Sequence, residues 1–589
     1  MDRSLHRKEV LNKTPSVSEA SLPPISWPSR RVVLAVGANW PLGLVVAAFL
    51  VYSGIFIWHS SFVIGGVRYF ALFDDSMVSM TYARNLVRGA GLVWNAGGER
   101  VEGFSNPLWV GYMALVHLLP IPTSKISVVV QITGMVLLVL VLPFVKRIGE
   151  RIMPRDTFAI WCAVVLSAFY YPLVNWSLLG TEVSALTLTT AASAWMAVRA
   201  LDDGRFPKAL YLLLGIGTLI RIDAAVPMLT VLIFMLLFDA RHRKDHAVWG
   251  ITALISFLGG QTLLRWAYYG DWLPNTYYLK MTGYPSWLRI RRGWSVLVDF
   301  VKNLKAPLAF LPLAALIRLG DRRRWLLVWI ICAELAYSVY VGGDAWESRG
   351  GANRFIATVM PLFMVLYMAG WHELSEMVAA FLMGAAERVR SPQTVRRWVS
   401  RVVRWGGIAS IGLVSAVSLL YFNRVNNEGS LLIALREPRQ GLLKYAFLLE
   451  RSIFVPGTER YTKDALILRR VTTSDARIAV VAAGNTPYFS NRFSIDILGK
   501  SDRKIARETA RIPADVDSAL LFRPGHIKWD YAYSIGALAP DVVVEPFRES
   551  YDEARPYLAG YVSVEINGHP AFFRKGSQRV LWSALEEYR

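Results

Sequence analysis

Asp74 and Asp75 are adjacent carboxylates just beyond the first long apolar stretch of the chain. A carboxylate so placed can take a proton from a hydroxyl or attack an electrophilic carbon itself. Other charged residues stand at the ends of later apolar stretches: Glu102, Glu182, Arg221, Asp223, Asp271, Lys280, Asp344 and Arg354. Ionisable groups near membrane depth are costly unless paired, hydrated or functional, and a shared cavity lined by both signs accounts for the set. Plainer readings stand beside this one. Asp75 is a good N-cap for the helix that follows, Arg221 and Asp223 can form a structural ion pair, and Glu182 can be a solvated residue at a helix start. One aspartate can cap while the other works.

The frame that must hold these residues is a membrane-embedded one. Hydrophobic residues make up 54% of the 589, charged residues only 19%, and the mean hydropathy is +0.35. Apolar runs able to cross a ~30 Å hydrocarbon core recur along most of the chain. They lie near 35–58, 124–145, 158–175, 183–198, 208–220, 224–239, 248–266, 306–318, 325–342, 355–371 and 406–422, about eleven in all. The polar tail 1–31 is rich in Arg and Lys, so it is expected in the cytoplasm, with the first span kept as an uncleaved anchor. The basic turns at 146–155, 241–244, 322–324 and 387–404 then fall on the same side, and Asp74 and Asp75 emerge on the other.

Between the first two spans, Ser76 to Gly89 reads as a short amphipathic helix and Asn106 to Leu119 as a helix lying in the interface. The loop of about 267–305 breaks the charge rule: it is placed outside yet carries Lys280, Arg289, Arg291, Arg292, Lys302 and Lys305. Cations there suit a phosphate held at headgroup level; attraction to anionic lipid is the competing account. The aromatic residues from Tyr268 to Tyr278 fit an interfacial belt. Cys162 and Cys332 both fall in apolar runs and read as small hydrophobes.

Residues 423–589 are less apolar and punctuated like a folded α/β unit outside the membrane. Ala476 to Ala483 reads as a buried strand stopped by Gly484, and Pro540 to Pro546 brackets another. Val562 to Ile566, the turn Asn567-Gly568 and Ala571 to Phe573 read as a hairpin. The expected organisation is a cytoplasmic tail at 1–31, an all-α polytopic membrane domain at 32–422 and an extracytoplasmic α/β domain at 423–589, in a plasma-membrane protein.

An outer carboxylate, outer cations, many spans and an outer soluble domain together fit a lipid phosphate as leaving group. A polyprenyl-phosphate sugar would keep its tail between helices, its phosphate at the interface and its sugar in the outer cavity. Phosphate leaves readily once its charge is balanced, so only a base or nucleophile is needed. A flippase for lipid-linked glycans would instead spread polar residues through membrane depth and need an inward route. A ligase using a diphosphate donor differs only in the donor. The net charge of +21 belongs mostly to membrane-flanking turns, so it reads as topology and not as nucleic-acid binding. No cofactor is indicated; Asp74, Asp75 and Asp344 are oxygen ligands that leave a divalent cation as an option, though no spacing argues for one.

Several short stretches carry a family likeness: Phe73-Asp74-Asp75-Ser76, Tyr82-Ala83-Arg84-Asn85-Leu86, Gly91-Leu92-Val93-Trp94-Asn95, and Arg100 to Trp109. Others are Gly180-Thr181-Glu182, Arg221-Ile222-Asp223, Tyr269 to Thr276, Gly342-Gly343-Asp344, Arg354-Phe355 and Gly484 to Asp496. In that order they resemble the GT-C superfamily of lipid-dependent glycosyltransferases, in particular the mycobacterial terminal arabinofuranosyltransferase branch. The resemblance implies a catalytic aspartate in the first outer loop and a donor sugar on a polyprenyl monophosphate, with arabinofuranose the leading candidate. The acceptor would be an extracytoplasmic glycan, glycolipid or protein. Asp74 is favoured as the catalytic carboxylate, with Asp75 as cap and support. Lys280, Arg289, Arg292 and Arg354 are assigned to the donor phosphate, and Glu102, Glu182, Arg221, Asp223, Asp271, Asn275 and Asp344 to substrate. Thr181 and Ile222 depart from the expected Leu and Pro.

Overall fold

Backbone polar groups in hydrocarbon can be satisfied only within helices or closed barrels, so long apolar segments coil. The computed structural model describes residues 40–304, 306–344, 353–386, scattered positions from 393 to 409, 451–512 and 523–588. Val45–Arg589 form one compact unit and Met1–Leu44 another. Among the described residues, Trp40–His59, Ser127–Ile152, Ala240–Tyr269 and Arg354–Val378 are helical and apolar enough to cross a membrane. Thr157–Ala168 and Tyr171–Leu178, bent by 41°, make a fifth if the pair is one span.

The other predicted spans up to 371 also lie on helices, but the count of eleven is not reproduced. Lys208–Ile220 and Ala225–Phe238 have only 13 and 14 residues. Arg322–Tyr340 opens on three arginines and carries Glu334. The tail 1–31, most of the predicted span 406–422 and of the basic run 387–404, and the boundary at 423 lie outside the described residues.

The first loop departs from expectation in one informative respect. Its helix begins at Asp74, two residues early, with Phe73 at the N-cap and no side-chain cap. Asp75 is therefore not the cap; both aspartates occupy the first turn, where negative charge meets the positive end of the helix dipole. Nor is the helix amphipathic, since every residue from Ser76 to Asn85 is buried. It ends at Val87, and Gly89 just beyond the cap residue Arg88, with a φ of 79°, supplies the left-handed turn. The predicted interface segment is the helix Pro107–His117, with proline at its start.

The C-terminal segment builds a five-stranded sheet from β3 (Arg477–Val480), β4 (Phe493–Asp496), β5 (Val542–Val543), β6 (Tyr561–Ile566) and β7 (His569–Arg574), β1 and β2 being a small hairpin at Phe62–Ile64 and Val67–Tyr69. The order is β4-β3-β5-β7-β6. β3 runs parallel to β4 and β5, and β7 antiparallel to β5 and β6. The β6–β7 turn is the predicted Asn567-Gly568 pair, with φ of 49° and 78°. β4 escaped the sequence reading because its short run mixes polar and apolar residues and no proline or turn dipeptide brackets it. Its parallel pairing with β3 matters, because ligands of α/β sheets gather at the carboxyl ends of parallel strands. The segments leaving those two ends, at Gly484 and at Lys500, both reach the first-loop helix.

Candidate active site

A cavity of about 240 Å³ lies where the first-loop helix, the ends of several long helices and the C-terminal segment meet. Its lining includes Asp75, Glu182, Arg221, Asp223, Lys280, Asp344, Arg354 and Lys500. Asp75 is at its centre of charge. One carboxylate oxygen accepts from Lys500 Nζ at 2.8 Å and the other from Arg354 Nη1 at 2.9 Å. Burial pushes the Asp75 carboxyl up, but the Lys500, Arg354 and Lys280 charges outweigh it and hold it well below the usual carboxylate range.

Arg354 is fixed from behind. Its Nε and Nη2 donate to the two oxygens of Asp344 at 2.5 and 2.8 Å, leaving Nη1 for Asp75. This bidentate fork places a guanidinium between two carboxylates. Phe73 and Trp176 wall it in, the latter ring 5.5 Å away. Lys280, on the short helix Asn275–Met281, also faces the cavity, and among the described residues no carboxylate lies within ion-pair distance of its ammonium. Burial pushes it down to about 8.

A second polar chain also lines the cavity. Ser79 donates to Asn106 at 3.1 Å, Asn106 to Glu182 at 2.8 Å, and Arg221 to Glu182 at 2.8 Å. Arg221 also pairs with Asp223 at 2.9 Å, so the ion-pair reading and the cavity reading hold together.

Asp74 faces elsewhere. Its carboxylate accepts from the backbone N–H of Gly484 at 3.1 Å and of Asn485 at 2.7 Å, and from Asn485 Nδ2 at 3.1 Å. Burial raises its pKa, against the pull of the Asn485 donors. It bolts the first-loop helix to the sheet. The fit requires glycine at 484, where a Cβ would lie 1.9 Å from the Asp74 carbonyl oxygen. Gly484→Ala is therefore expected to destabilise the protein by about 1–3 kcal/mol and to lower activity with it, read by thermal unfolding in detergent; an unchanged transition would contradict the bolt.

Four other predicted residues are brought near the cavity without lining it. Arg289 donates to the carbonyls of Tyr340 and Met281 at 2.7 and 3.0 Å, and Arg292 to those of Gly342 and, at 2.9 Å, Asp344. They anchor the wall on which Asp344 sits. Glu102 is buried against Arg265. Asp271 pairs with Arg507 at 2.7 Å.

Asn275 acts through a residue the sequence reading missed. Its Nδ2 lies 3.0–3.1 Å from the carbonyls of Gly499, Lys500 and Asp502. From the other side, Asp496 accepts the N–H groups of Leu498, Gly499 and Ser501. The loop after β4 is thus cast in one shape, with Lys500 aimed at Asp75. Nothing in a lone lysine following a glycine announces this. Among the described residues no group of three His, Cys, Asp or Glu side chains could hold a metal ion.

Against solved structures, 92% of the chain superposes on 99% of ArnT from Cupriavidus metallidurans bound to undecaprenyl phosphate, with a TM-score of 0.52 at 12% identity. The apo form of that protein matches over 91% of the chain with a TM-score of 0.53. The chain shares the fold of that protein. In sequence the chain resembles the terminal beta-(1->2)-arabinofuranosyltransferase of Corynebacterium glutamicum, at 25% identity over 389 residues. That match takes in 59% of this chain and 55% of that protein, so the chain spans about half the length of the curated relative it matches. Residues 455–580, the sheet with Gly484 and Lys500, match a family model described as a domain of unknown function, DUF8728.

Proposed function

We propose that this protein is a membrane glycosyltransferase. It moves a single sugar, arabinofuranosyl being the leading candidate, from a polyprenyl-monophosphate donor to an extracytoplasmic glycan, glycolipid or protein of the cell envelope. The observation that carries the reading is Asp75 at a cavity whose cations include one, Lys280, with no carboxylate partner among the described residues. Lys280 and Arg354 suit the donor phosphate. Glu182, Asp223 and Asn106 offer acceptors and a donor to sugar hydroxyls. The acceptor hydroxyl attacks the anomeric carbon, the bond from that carbon to the phosphate oxygen breaks with its electron pair leaving on phosphate, and Asp75 takes the hydroxyl proton.

The direct test is purified protein given polyprenyl-phosphate sugars of different sugar identity with envelope acceptors, followed by product analysis. Absence of transfer from every donor would overturn the reading. Reporter fusions at the C-terminus would test its expected extracytoplasmic side.

The pH dependence of donor binding has a definite sign. The donor is a phosphate diester and stays anionic throughout, whereas Lys280 loses its charge as pH rises through about 8. Donor affinity is expected to fall above that pH. Lys280→Arg, whose guanidinium stays charged, should flatten the curve. An equally steep fall in the arginine variant would assign the titration to another group.

A further inference from the structure

Asp75 presents a difficulty for a base. Two cations hold it as a carboxylate, and the same two make it reluctant to accept a proton. The two are not equally committed. Arg354 is pinned by two bonds to Asp344 and cannot leave. Lys500 reaches Asp75 through a flexible four-carbon stem, and its ammonium makes no second ion pair among the described residues. It also lines the cavity with Lys280, where the phosphate is placed above.

We propose that Lys500 is a catalytic residue that changes partner during transfer, moving from Asp75 to the donor phosphate as the glycosyl bond breaks. This rests on the proposed glycosyl transfer. The charge count drives the exchange. Asp75 goes from one negative charge to none as it takes the acceptor proton. The phosphate goes from one toward two as its bond to the anomeric carbon breaks and the electron pair stays on its oxygen. A cation between them gains more from the phosphate just as it loses its hold on the carboxylate, so it stabilises the transition state more than the ground state. The same move frees Asp75 to act as a base only when a phosphate is present. A carboxylate that waits in this way is not spent on water or stray hydroxyls. The C-terminal sheet, through the loop cast by Asn275 and Asp496, thereby supplies a reacting-site cation to the helical bundle.

The test reads binding of the product lipid, so it needs no turnover. Undecaprenyl phosphate affinity is measured for wild type, Asp75→Asn, Lys500→Gln and the double variant, each required to elute as a monodisperse peak, with Asp75→Ser replacing a variant at that position that does not. Asp75→Asn imitates the protonated carboxyl and releases Lys500, so it is expected to bind the lipid about tenfold more tightly. Lys500→Gln should bind about tenfold more weakly, and in its background the gain from Asp75→Asn should vanish. Wild-type binding with no tightening in Asp75→Asn, or with the same tightening in the Lys500→Gln background, overturns the exchange and leaves the glycosyltransferase reading standing. No binding of the lipid phosphate by wild type overturns that reading, and the exchange with it.

Discussion

Asp75→Asn is expected to cut sugar transfer by about 10²–10⁴-fold, the range for removing a positioned base, in a protein that still folds. The amide matches the carboxylate in shape and keeps an oxygen for Arg354, so the wall built on Asp344 and Arg354 should stay in place. Asp74→Asn should behave differently. There the carboxylate accepts two backbone N–H groups, and an amide can answer only one of them with oxygen while its NH₂ meets the other. The expected cost is about 1–3 kcal/mol of stability for a buried donor left unmet, with activity falling as the helix loses its register on the sheet. Initial rates and thermal unfolding on both variants separate the two roles. A stable but inactive Asp74→Asn beside an active Asp75→Asn would reverse the assignment made from the cavity.

The second large effect is Arg354→Met. The guanidinium serves two carboxylates, and the Asp344 side chain is only 2% exposed, so its removal takes the bidentate partner from a buried negative charge. Losing one partner of a buried pair costs about 3–5 kcal/mol, and transfer should be lost as well because Asp75 loses a contact and the phosphate a cation. Thermal unfolding in detergent checks the first and donor turnover the second. Adding Asp344→Leu removes the buried charge that Arg354 balanced, so the double variant is expected to regain stability without regaining activity. If the double variant is no more stable than Arg354→Met alone, the pair is not what holds this wall.

What the sequence made legible was the set of groups too costly to be idle. Asp75, Lys280, Arg354, Asp344, Glu182, Arg221 and Asp223 stand at the ends of apolar stretches, and all line one cavity. Arg289 and Arg292 look the same in the sequence, yet the carbonyls of Met281, Tyr340, Gly342 and Asp344 take up their donors. Proximity in sequence cannot tell an arginine that lines a cavity from one that donates to a turn. Which of Asp74 and Asp75 faces the cavity was not legible for a related reason: neighbours on a helix point about 100° apart, and only the surrounding fold says which direction is the cavity. Lys500 was out of reach because its meaning comes from Asn275 and Asp496, side chains distant or unremarkable until the sheet docks. The helices were found wherever apolar runs were long, whereas the count of eleven spans is not reproduced among the described residues where the segments are short or led by arginines.

The ion pair between Asp75 and Lys500 joins residues 425 positions apart. At about 5–20 residues per second of synthesis, that separation amounts to roughly 20–90 s between the appearance of the first partner and the second. At the start of that interval only the helix Trp40–His59 and the small hairpin precede Asp75, and the helices that bear Lys280 and Arg354 are still to be made. The order of the chain thus works as a timer: Asp75 gains its cation from the sheet only after the helices that bear Lys280 and Arg354 have been made.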